Sequence, residues 1–163
     1  MQRMAAGKHL SSNLNLIMDE PLVRPKANVM SPPLRIFLVE DSSLLRELVI
    51  ETFAEIAGVV LADQAESEDE AFDKLAAAPC EILILDIELK QGNGINLLRR
   101  LALLPNLQKQ IKIVFSNNAM AAYRRVAEPL GVHFFFDKTT EFKRLRTLLE
   151  QLGTGKNADT LHC

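Results

Sequence analysis

The sequence predicts an α/β fold in which helices cover both faces of a parallel five-stranded sheet. Five short apolar runs rich in strand-forming residues alternate strictly with five segments whose apolar residues recur at helical spacing. One run, Ile82-Leu-Ile-Leu85, is apolar on both faces, which is typical of a strand buried inside a parallel sheet. Strict alternation favours parallel strands joined by right-handed helical crossovers, so only a few topologies remain.

The bounds of each element follow from the apolar periodicity and from the residues that end helices. The strands are predicted at residues 34–39, 59–62, 82–85, 111–115 and 132–136. The helices are predicted at residues 44–56, 67–78, 95–104, 119–128 and 142–152. The segment Ser67-Glu-Asp-Glu70 matches a capping box, in which Ser67 and Glu70 each satisfy a free backbone donor. Helix-ending residues follow the first four helices at Gly58, Pro79, Pro105 and Pro129.

The composition limits the class of protein. The chain has 163 residues, enough for one ordinary domain, and its 48% hydrophobic and 25% charged residues indicate a globular core. A net charge of −2 gives no basic surface for nucleic acid, and no apolar run approaches the roughly 20 residues that a membrane span needs. The two cysteines, Cys80 and Cys163, cannot build a disulfide framework, so we expect a reducing, cytoplasmic compartment.

The two ends of the chain lack the periodic pattern. Residues 1–33 contain four prolines and mixed polar residues, which predict a flexible extension or a misassigned start, with Met18 or Met30 as the true first residue. Residues 153–163 carry two glycines and are expected to form a disordered tail. The folded domain is therefore predicted at residues 34–152.

Polar side chains follow four of the five predicted strands, and all would meet at one edge of the sheet. They are Glu40 and Asp41, Asp86, Ser116, and Asp137 with Lys138. Singly, each has a plain interpretation, such as a helix cap by Asp41, Ser42 or Ser43. Together, three crowded carboxylates call for a cation, and oxygen ligands suit Mg²⁺. A nearby amine and hydroxyl suit phosphoryl oxygens, so the pattern predicts a Mg²⁺-dependent phosphoryl site with a carboxylate acceptor.

Residues 34–152 resemble the receiver domain of bacterial two-component response regulators. The resemblance is carried by Val39-Glu40-Asp41, Leu85-Asp86, Ser116 and Lys138, each after a predicted strand. Intervals of 46, 30 and 22 residues separate Glu40, Asp86, Ser116 and Lys138. The family implies a flavodoxin-like, doubly wound (βα)₅ fold with strand order 2-1-3-4-5.

The resemblance implies a role for each acidic residue. Asp86 would be the phosphoacceptor, taking a phosphoryl group from a phosphohistidine. Asp41 and Asp86 would hold Mg²⁺ directly, Glu40 would act mostly through water, and the backbone carbonyl of Glu88 would complete the protein ligands.

The same resemblance implies a switch. Lys138 would pair with a phosphoryl oxygen, and Ser116 would move towards the phosphoryl group. Phe135 stands at the position of the family's switch aromatic, without a tyrosine hydroxyl, and strand alternation places it on the face opposite its two phenylalanine neighbours. Thr139 replaces a proline that is usual in the family, and Asn117 replaces a small residue. Glu88, Asn117 and Asn118 would tune the lifetime of the phosphoryl group.

The function implied is that of a single-domain response regulator, because the flanking segments are too short to fold as an output domain. It would be a signalling phosphoacceptor that catalyses only its own phosphorylation and dephosphorylation, not an enzyme. Expected partners are a histidine kinase or histidine phosphotransfer protein, a downstream protein target and a second copy in a homodimer, with no nucleic acid or membrane. The expected target surface comprises the fourth helix, fifth strand and fifth helix, with the polar set Tyr123, Arg124, Arg125, Lys143, Arg144 and Arg146.

Several alternatives remain open at this point. The basic set could be an ordinary solvated face. The chain could be a pseudo-receiver that binds partners without taking phosphate. It could also be a Mg²⁺-dependent, aspartate-nucleophile phosphatase of the haloacid dehalogenase type, although that family needs an aspartate where Glu88 stands.

Overall fold

A computed structural model describes residues 31–117 and 121–155. Three sets of expectations lie outside these ranges. They are the loose extension over residues 1–30, the tail from residue 156 onward, and Asn118 with the first two residues of the predicted fourth helix. Residues 31–33, which precede the first strand, are exposed.

The described residues form one five-stranded parallel sheet. Its strands are β1 (Leu34–Val39), β2 (Val59–Ala65), β3 (Ile82–Leu85), β4 (Ile111–Ser116) and β5 (Val132–Asp137). The strand order is β2-β1-β3-β4-β5, and every neighbouring pair is parallel. The predicted fold class and strand order are therefore confirmed, with β3 at the centre of the sheet.

Five α-helices alternate with these strands in the part of the chain that the structure describes. They are α1 (Ser43–Ala54), α2 (Glu68–Ala77), α3 (Gly94–Leu101), α4 (Ala121–Ala127) and α5 (Phe142–Gly153). Two short 3₁₀ turns, Pro105–Leu107 and Glu128–Leu130, precede β4 and β5. No described helix has the length and apolar content to cross a membrane.

Strand alternation divides the core into two layers. On one face, Phe37, Leu83 and Val114 pack with apolar residues of α2 and α3. On the other face, Ile36, Ile84 and Ile113 pack with apolar residues of α1 and α5. Phe135 belongs to the first layer and Phe136 to the second, as the alternation predicted.

Four helices, α1 to α4, end earlier than the periodicity predicts, and α2 does so by a single residue. The chain after α1 and α3 makes hydrogen bonds to the third residue back, as in Ile56 N–H to Phe53 O (3.0 Å) and Leu104 N–H to Leu101 O (3.0 Å). Such bonds tighten the last turn into 3₁₀ geometry while the side chains stay on the apolar face. After α4, Pro129 cannot donate to a helical hydrogen bond, so residues Glu128–Leu130 form a 3₁₀ turn.

β2 continues past residue 62, where it was predicted to end. The prediction was too short because polar residues break the apolar pattern after residue 62. The partner strand extends the pairing: Val39 of β1 lies opposite Ala65 of β2. Asp63 and Gln64 therefore stand in the strand, on an edge of the sheet where polar side chains are tolerated.

The N-terminal caps are partly as predicted. Ser42, one of three candidates, caps α1 by accepting the backbone N–H of Leu45 (3.4 Å). Ser67 caps α2 by accepting the N–H of Glu70 (3.3 Å). The reciprocal bond of the capping box differs, because the Glu70 carboxylate accepts the N–H of Glu66 (3.0 Å) rather than that of Ser67.

The predicted tail begins too early, because Gly153 is the last residue of α5. Its backbone lies against the turn after α1: a Cβ added at Gly153 would stand 2.2 Å from the carbonyl oxygen of Ala57. The missing side chain therefore lets the two backbones pack closely at the end of α5.

Replacing Gly153 with alanine should destabilise the domain by about 1–3 kcal/mol, because the new Cβ meets backbone that cannot rotate away. Helix propensity alone would favour alanine by roughly 1 kcal/mol, so the sign of the change tests the contact. Urea unfolding of Gly153→Ala measures it. The control is Thr154→Ala, whose exposed hydroxyl bonds only to carbonyls of its own helix. A Gly153→Ala protein as stable as the control would contradict the close packing.

Candidate functional site

A polar pocket of about 380 Å³ opens at the carboxyl ends of the strands. It is lined by Glu40, Asp41, Ser42, Leu45, Asp86, Glu88, Asn117, Lys138 and Thr139. Glu40 and Asp41 follow β1, Asp86 follows β3, and Lys138 follows β5. Of the strand-end residues that the sequence singled out on these three strands, all except Asp137 therefore meet at one place.

Three carboxylates form the acidic side of the pocket. One oxygen from each of Glu40, Asp41 and Asp86 lies within 4.8 Å of the other two. Glu40 and Asp86 are buried, with 2% and 6% of their surface exposed, and Asp41 is half-buried. Because like charges at this separation repel strongly away from water, the arrangement depends on positive charge nearby.

Lys138 supplies positive charge to this cluster. Its Nζ lies 2.6 Å from Glu40 Oε2 and 2.5 Å from Asp86 Oδ2, and its side chain is 7% exposed. Burial alone would lower the pKa of Lys138, but the hydrogen bonds to Asp86 and Glu40 outweigh it and raise the pKa above its ordinary value. Lys138 therefore stays charged and joins β5 to the carboxylates that follow β1 and β3.

The second oxygen of Asp86 accepts two hydrogen bonds. Ser116, fully buried at the end of β4, donates its hydroxyl to Asp86 Oδ1 at 2.7 Å. The backbone N–H of Glu88 donates to the same oxygen at 3.1 Å. Both oxygens of Asp86 are thus oriented, one by a hydroxyl and an amide and the other by Lys138. The side chain of Glu88 is exposed, and the contact of Glu88 with Asp86 is made by the backbone N–H.

Backbone amides orient the other two carboxylates, and one arginine holds the backbone of Glu40. The N–H of Lys90 donates to Asp41 Oδ2 at 2.6 Å, and the N–H of Ser42 donates to Glu40 Oε1 at 3.0 Å. Arg46 of α1 donates to the carbonyl of Glu40 at 2.7 Å. None of these three groups was predicted from the sequence. Amide donors carry no residue signature, whereas Arg46, one helical turn after the cap, offered a signal in its charge.

Two residues near the pocket differ in role from the carboxylate cluster. Asp137 ends β5, but its Oδ1 accepts the N–H groups of Thr139 (2.8 Å) and Thr140 (3.0 Å). These bonds lower the pKa of Asp137, which acts as a turn residue and does not line the pocket.

Phe135 is buried, 8% exposed, and the guanidinium of Arg124 lies 4.7 Å from its ring centroid.

The residues of the cluster fit a divalent cation. Three carboxylates and one ammonium leave two formal negative charges in a small, partly buried volume. Carboxylate oxygens are the ligands that Mg²⁺ prefers, and the open pocket leaves room for the water molecules that Mg²⁺ usually keeps. The donor set is therefore suited to Mg²⁺ together with an anionic group.

Comparison with protein families identifies the class. Residues 36–150 match the response regulator receiver domain family. The chain belongs to this family, whose members receive signals in two-component systems.

Two curated relatives resemble the receiver part of the chain. Protein-glutamate methylesterase/protein-glutamine glutaminase 2 of Chromobacterium violaceum is 26% identical over 117 residues, or 66% of this chain and 33% of the relative. Protein-glutamate methylesterase/protein-glutamine glutaminase of Desulfotalea psychrophila is 34% identical over 108 residues, or 66% of this chain and 30% of the relative. The chain thus spans about a third of the length of these relatives.

Solved structures share the fold. A two-component response regulator of the LuxR family from Aurantimonas superposes with a TM-score of 0.67 at 20% identity, covering 77% of this chain and 88% of that one. The response regulator domain of Thermotoga maritima CheB superposes with a TM-score of 0.65 at 19% identity, covering 76% and 96%. Both solved structures therefore show the same fold as this chain.

Replacing Lys138 with methionine should destabilise the metal-free protein by about 3–5 kcal/mol, because Glu40 and Asp86 would stay buried without their ammonium partner. The free energy of unfolding in urea, with a chelator present, measures the effect. Lys143→Met, at an exposed position in α5, is the matched control and should change stability by less than about 0.5 kcal/mol. Equal stability of the two variants would contradict the bridging role of Lys138.

Proposed function

We propose that this protein takes a phosphoryl group from a phosphohistidine onto Asp86, with Mg²⁺ bound beside it. The observation that carries the proposal is the position of Asp86. Its buried carboxylate follows the central strand, faces a pocket with two other carboxylates, and is held by Lys138 and Ser116. A histidine kinase or a histidine phosphotransfer protein in the cytoplasm is the donor.

The transfer is a displacement at phosphorus. An oxygen of the Asp86 carboxylate forms the new bond to phosphorus while the bond from phosphorus to the imidazole nitrogen breaks, and the nitrogen keeps the electron pair. Asp41, Asp86 and the Glu88 carbonyl would hold the Mg²⁺ directly, with Glu40 acting mostly through water, and the ion would supply positive charge to the phosphoryl oxygens. Lys138 turns from its carboxylate partners towards a phosphoryl oxygen, and the fixed orientation of Asp86 provides alignment.

Phosphorylation changes the hydrogen-bond partner of Ser116. In the free protein the Ser116 hydroxyl donates to Asp86 Oδ1. A phosphoryl group offers it an acceptor with more negative charge than the carboxylate, so Ser116 moves and shifts the end of β4. The neighbouring strand carries Phe135, whose packing against Arg124 then changes without the hydroxyl that a tyrosine would add.

The signal leaves through the surface formed by α4, β5 and α5, which binds a protein target or relays the phosphoryl group. Arg124, Arg125 and Lys143 are exposed on this surface. Arg146 instead pairs with Glu150 (3.0 Å) and Glu55 (3.3 Å), and Arg144 pairs with Glu141. The exposed cations give the surface a positive field that favours an acidic partner. A second copy of the chain is a further candidate partner for it.

Asp86→Asn should abolish phosphorylation by acetyl phosphate or by a phosphorylated kinase, because the amide cannot act as the acceptor. Wild-type labelling should require Mg²⁺ and disappear with a chelator. Asp137→Asn is the control, since Asp137 ends β5 but does not line the pocket, and this variant should be labelled normally. Labelling that survives Asp86→Asn would overturn the proposal, and a wild-type protein that takes no label would favour the pseudo-receiver alternative.

The double variant Arg124→Glu, Arg144→Glu should weaken binding of a synthetic glutamate-rich peptide, because it reverses two charges on the proposed target surface. Calorimetry at two salt concentrations measures the loss, which should exceed about tenfold at low salt. The control is Arg99→Glu, Lys109→Glu, which makes the same change of net charge at two exposed positions outside this surface. Equal weakening by both double variants would show that net charge, rather than this surface, controls binding.

A further inference from the structure

Glu68, the first residue of α2, contacts the loop that follows Asp86 at three points. Its backbone N–H donates to the carbonyl of Gln91 at 3.2 Å. Its carboxylate Oε2 accepts the backbone N–H of Asn93 at 2.9 Å. Gly92 lies between them, and a Cβ added there would stand 2.3 Å from the Cβ of Glu68. The loop backbone therefore rests directly on Glu68.

The Glu68 carboxylate is itself held in place from α3. Arg100 Nη1 lies 3.2 Å from Glu68 Oε1 and 2.7 Å from an oxygen of Asp69. The guanidinium of Arg100 also lies 4.1 Å from the ring centroid of Phe72. The side chain of Glu68 is 13% exposed, whereas that of Asp69 is 88% exposed. The two neighbouring acids thus share Arg100, but the less exposed one also contacts the loop.

The loop that Glu68 holds also contacts the carboxylate cluster. Asn93 forms an antiparallel bridge with Glu88, whose N–H donates to Asp86 Oδ1. The N–H of Lys90 donates to Asp41 Oδ2 at 2.6 Å. Two of the three carboxylates are therefore oriented by amides of one short loop, and the far side of that loop is fixed by Glu68.

We propose that Glu68 is a positioning residue for the Mg²⁺ site. It holds the 88–93 loop so that the amides of Glu88 and Lys90 and the carbonyl of Glu88 keep the geometry that Mg²⁺ requires. This inference rests on the proposed function, because it concerns the affinity of that site for its metal. Loss of a group that orients metal ligands typically weakens metal binding by about 10–100-fold.

The test compares Mg²⁺ dissociation constants of the full-length unphosphorylated protein, measured by calorimetry. Glu68→Ala should raise the constant about tenfold, because it frees Asn93 and the loop. Glu68→Gln should stay within about threefold of wild type, since its amide oxygen still accepts from Asn93. Asp69→Asn is the control. This change removes one carboxylate from Arg100, and no hydrogen bond described joins Asp69 to the loop. Glu68→Ala that binds Mg²⁺ as tightly as Asp69→Asn, or Glu68→Gln that loses as much as Glu68→Ala, would overturn the proposal.

Amide hydrogen exchange provides a readout that needs no metal. Glu68→Ala should speed exchange at Lys90 and Asn93 while leaving the β3 amides as slow as in wild type. Unchanged exchange at Lys90 would contradict the role of Glu68 whether or not the protein binds Mg²⁺. Failure of the wild-type protein to bind Mg²⁺ would instead contradict the proposed function. If Glu68→Ala does not fold, Glu68→Asp keeps a carboxylate at the start of α2 but withdraws it from the Asn93 N–H, and should give the same tenfold loss.

Discussion

The bridge from Lys138 to Glu40 and Asp86 is the interaction on which the rest of the site depends. It joins the ends of β1, β3 and β5, three strands that are separated along the chain by helices and loops. Burying an ammonium and two carboxylates is expensive unless each charge is paired, so the strand ends are stable together and unstable apart. The same requirement keeps the three groups within reach of a ligand in the pocket.

The charge balance at the bridge also suits the site to bind a cation together with an anion. Lys138 offsets only part of the negative charge of the cluster, so Mg²⁺ and a phosphoryl group can enter as a pair with little change in net charge. In the proposed function, the phosphoryl oxygens would take two partners away from Asp86, the Lys138 ammonium and the Ser116 hydroxyl. The helices and loops around the pocket, including α2 through Glu68, then determine how precisely the ligands are held.

Much of the fold was predictable because the order of apolar and polar side chains marks the strands and helices. β1 and β3 were predicted at their observed bounds, since apolar runs mark buried strands. Helix ends were less predictable, because Ile56 and Leu104 keep apolar positions after the backbone has changed to 3₁₀ bonding. Gly153 was missed since only the approach of Ala57, distant in sequence, explains why a glycine there continues the helix.

The site divides in the same way. Residues such as Asp86 and Lys138 could be inferred because their side chains follow strands and the fold brings strand ends together. The amides of Lys90 and Ser42 could not, since every residue has an amide and only the loop path aims it at a carboxylate. Glu68 appeared in the sequence only as part of a helix cap, because its contact with the loop depends on how α2 and α3 pack.

The central claim, that Asp86 accepts the phosphoryl group, is tested most directly by locating the modified residue. Borohydride reduces an acyl phosphate to an alcohol, so reduction of the phosphorylated protein converts its acceptor aspartate to homoserine, which mass spectrometry of peptides can locate. We expect homoserine at position 86 and unmodified Asp41 and Asp137. Homoserine at either of those positions, or phosphate found on His133, would contradict it.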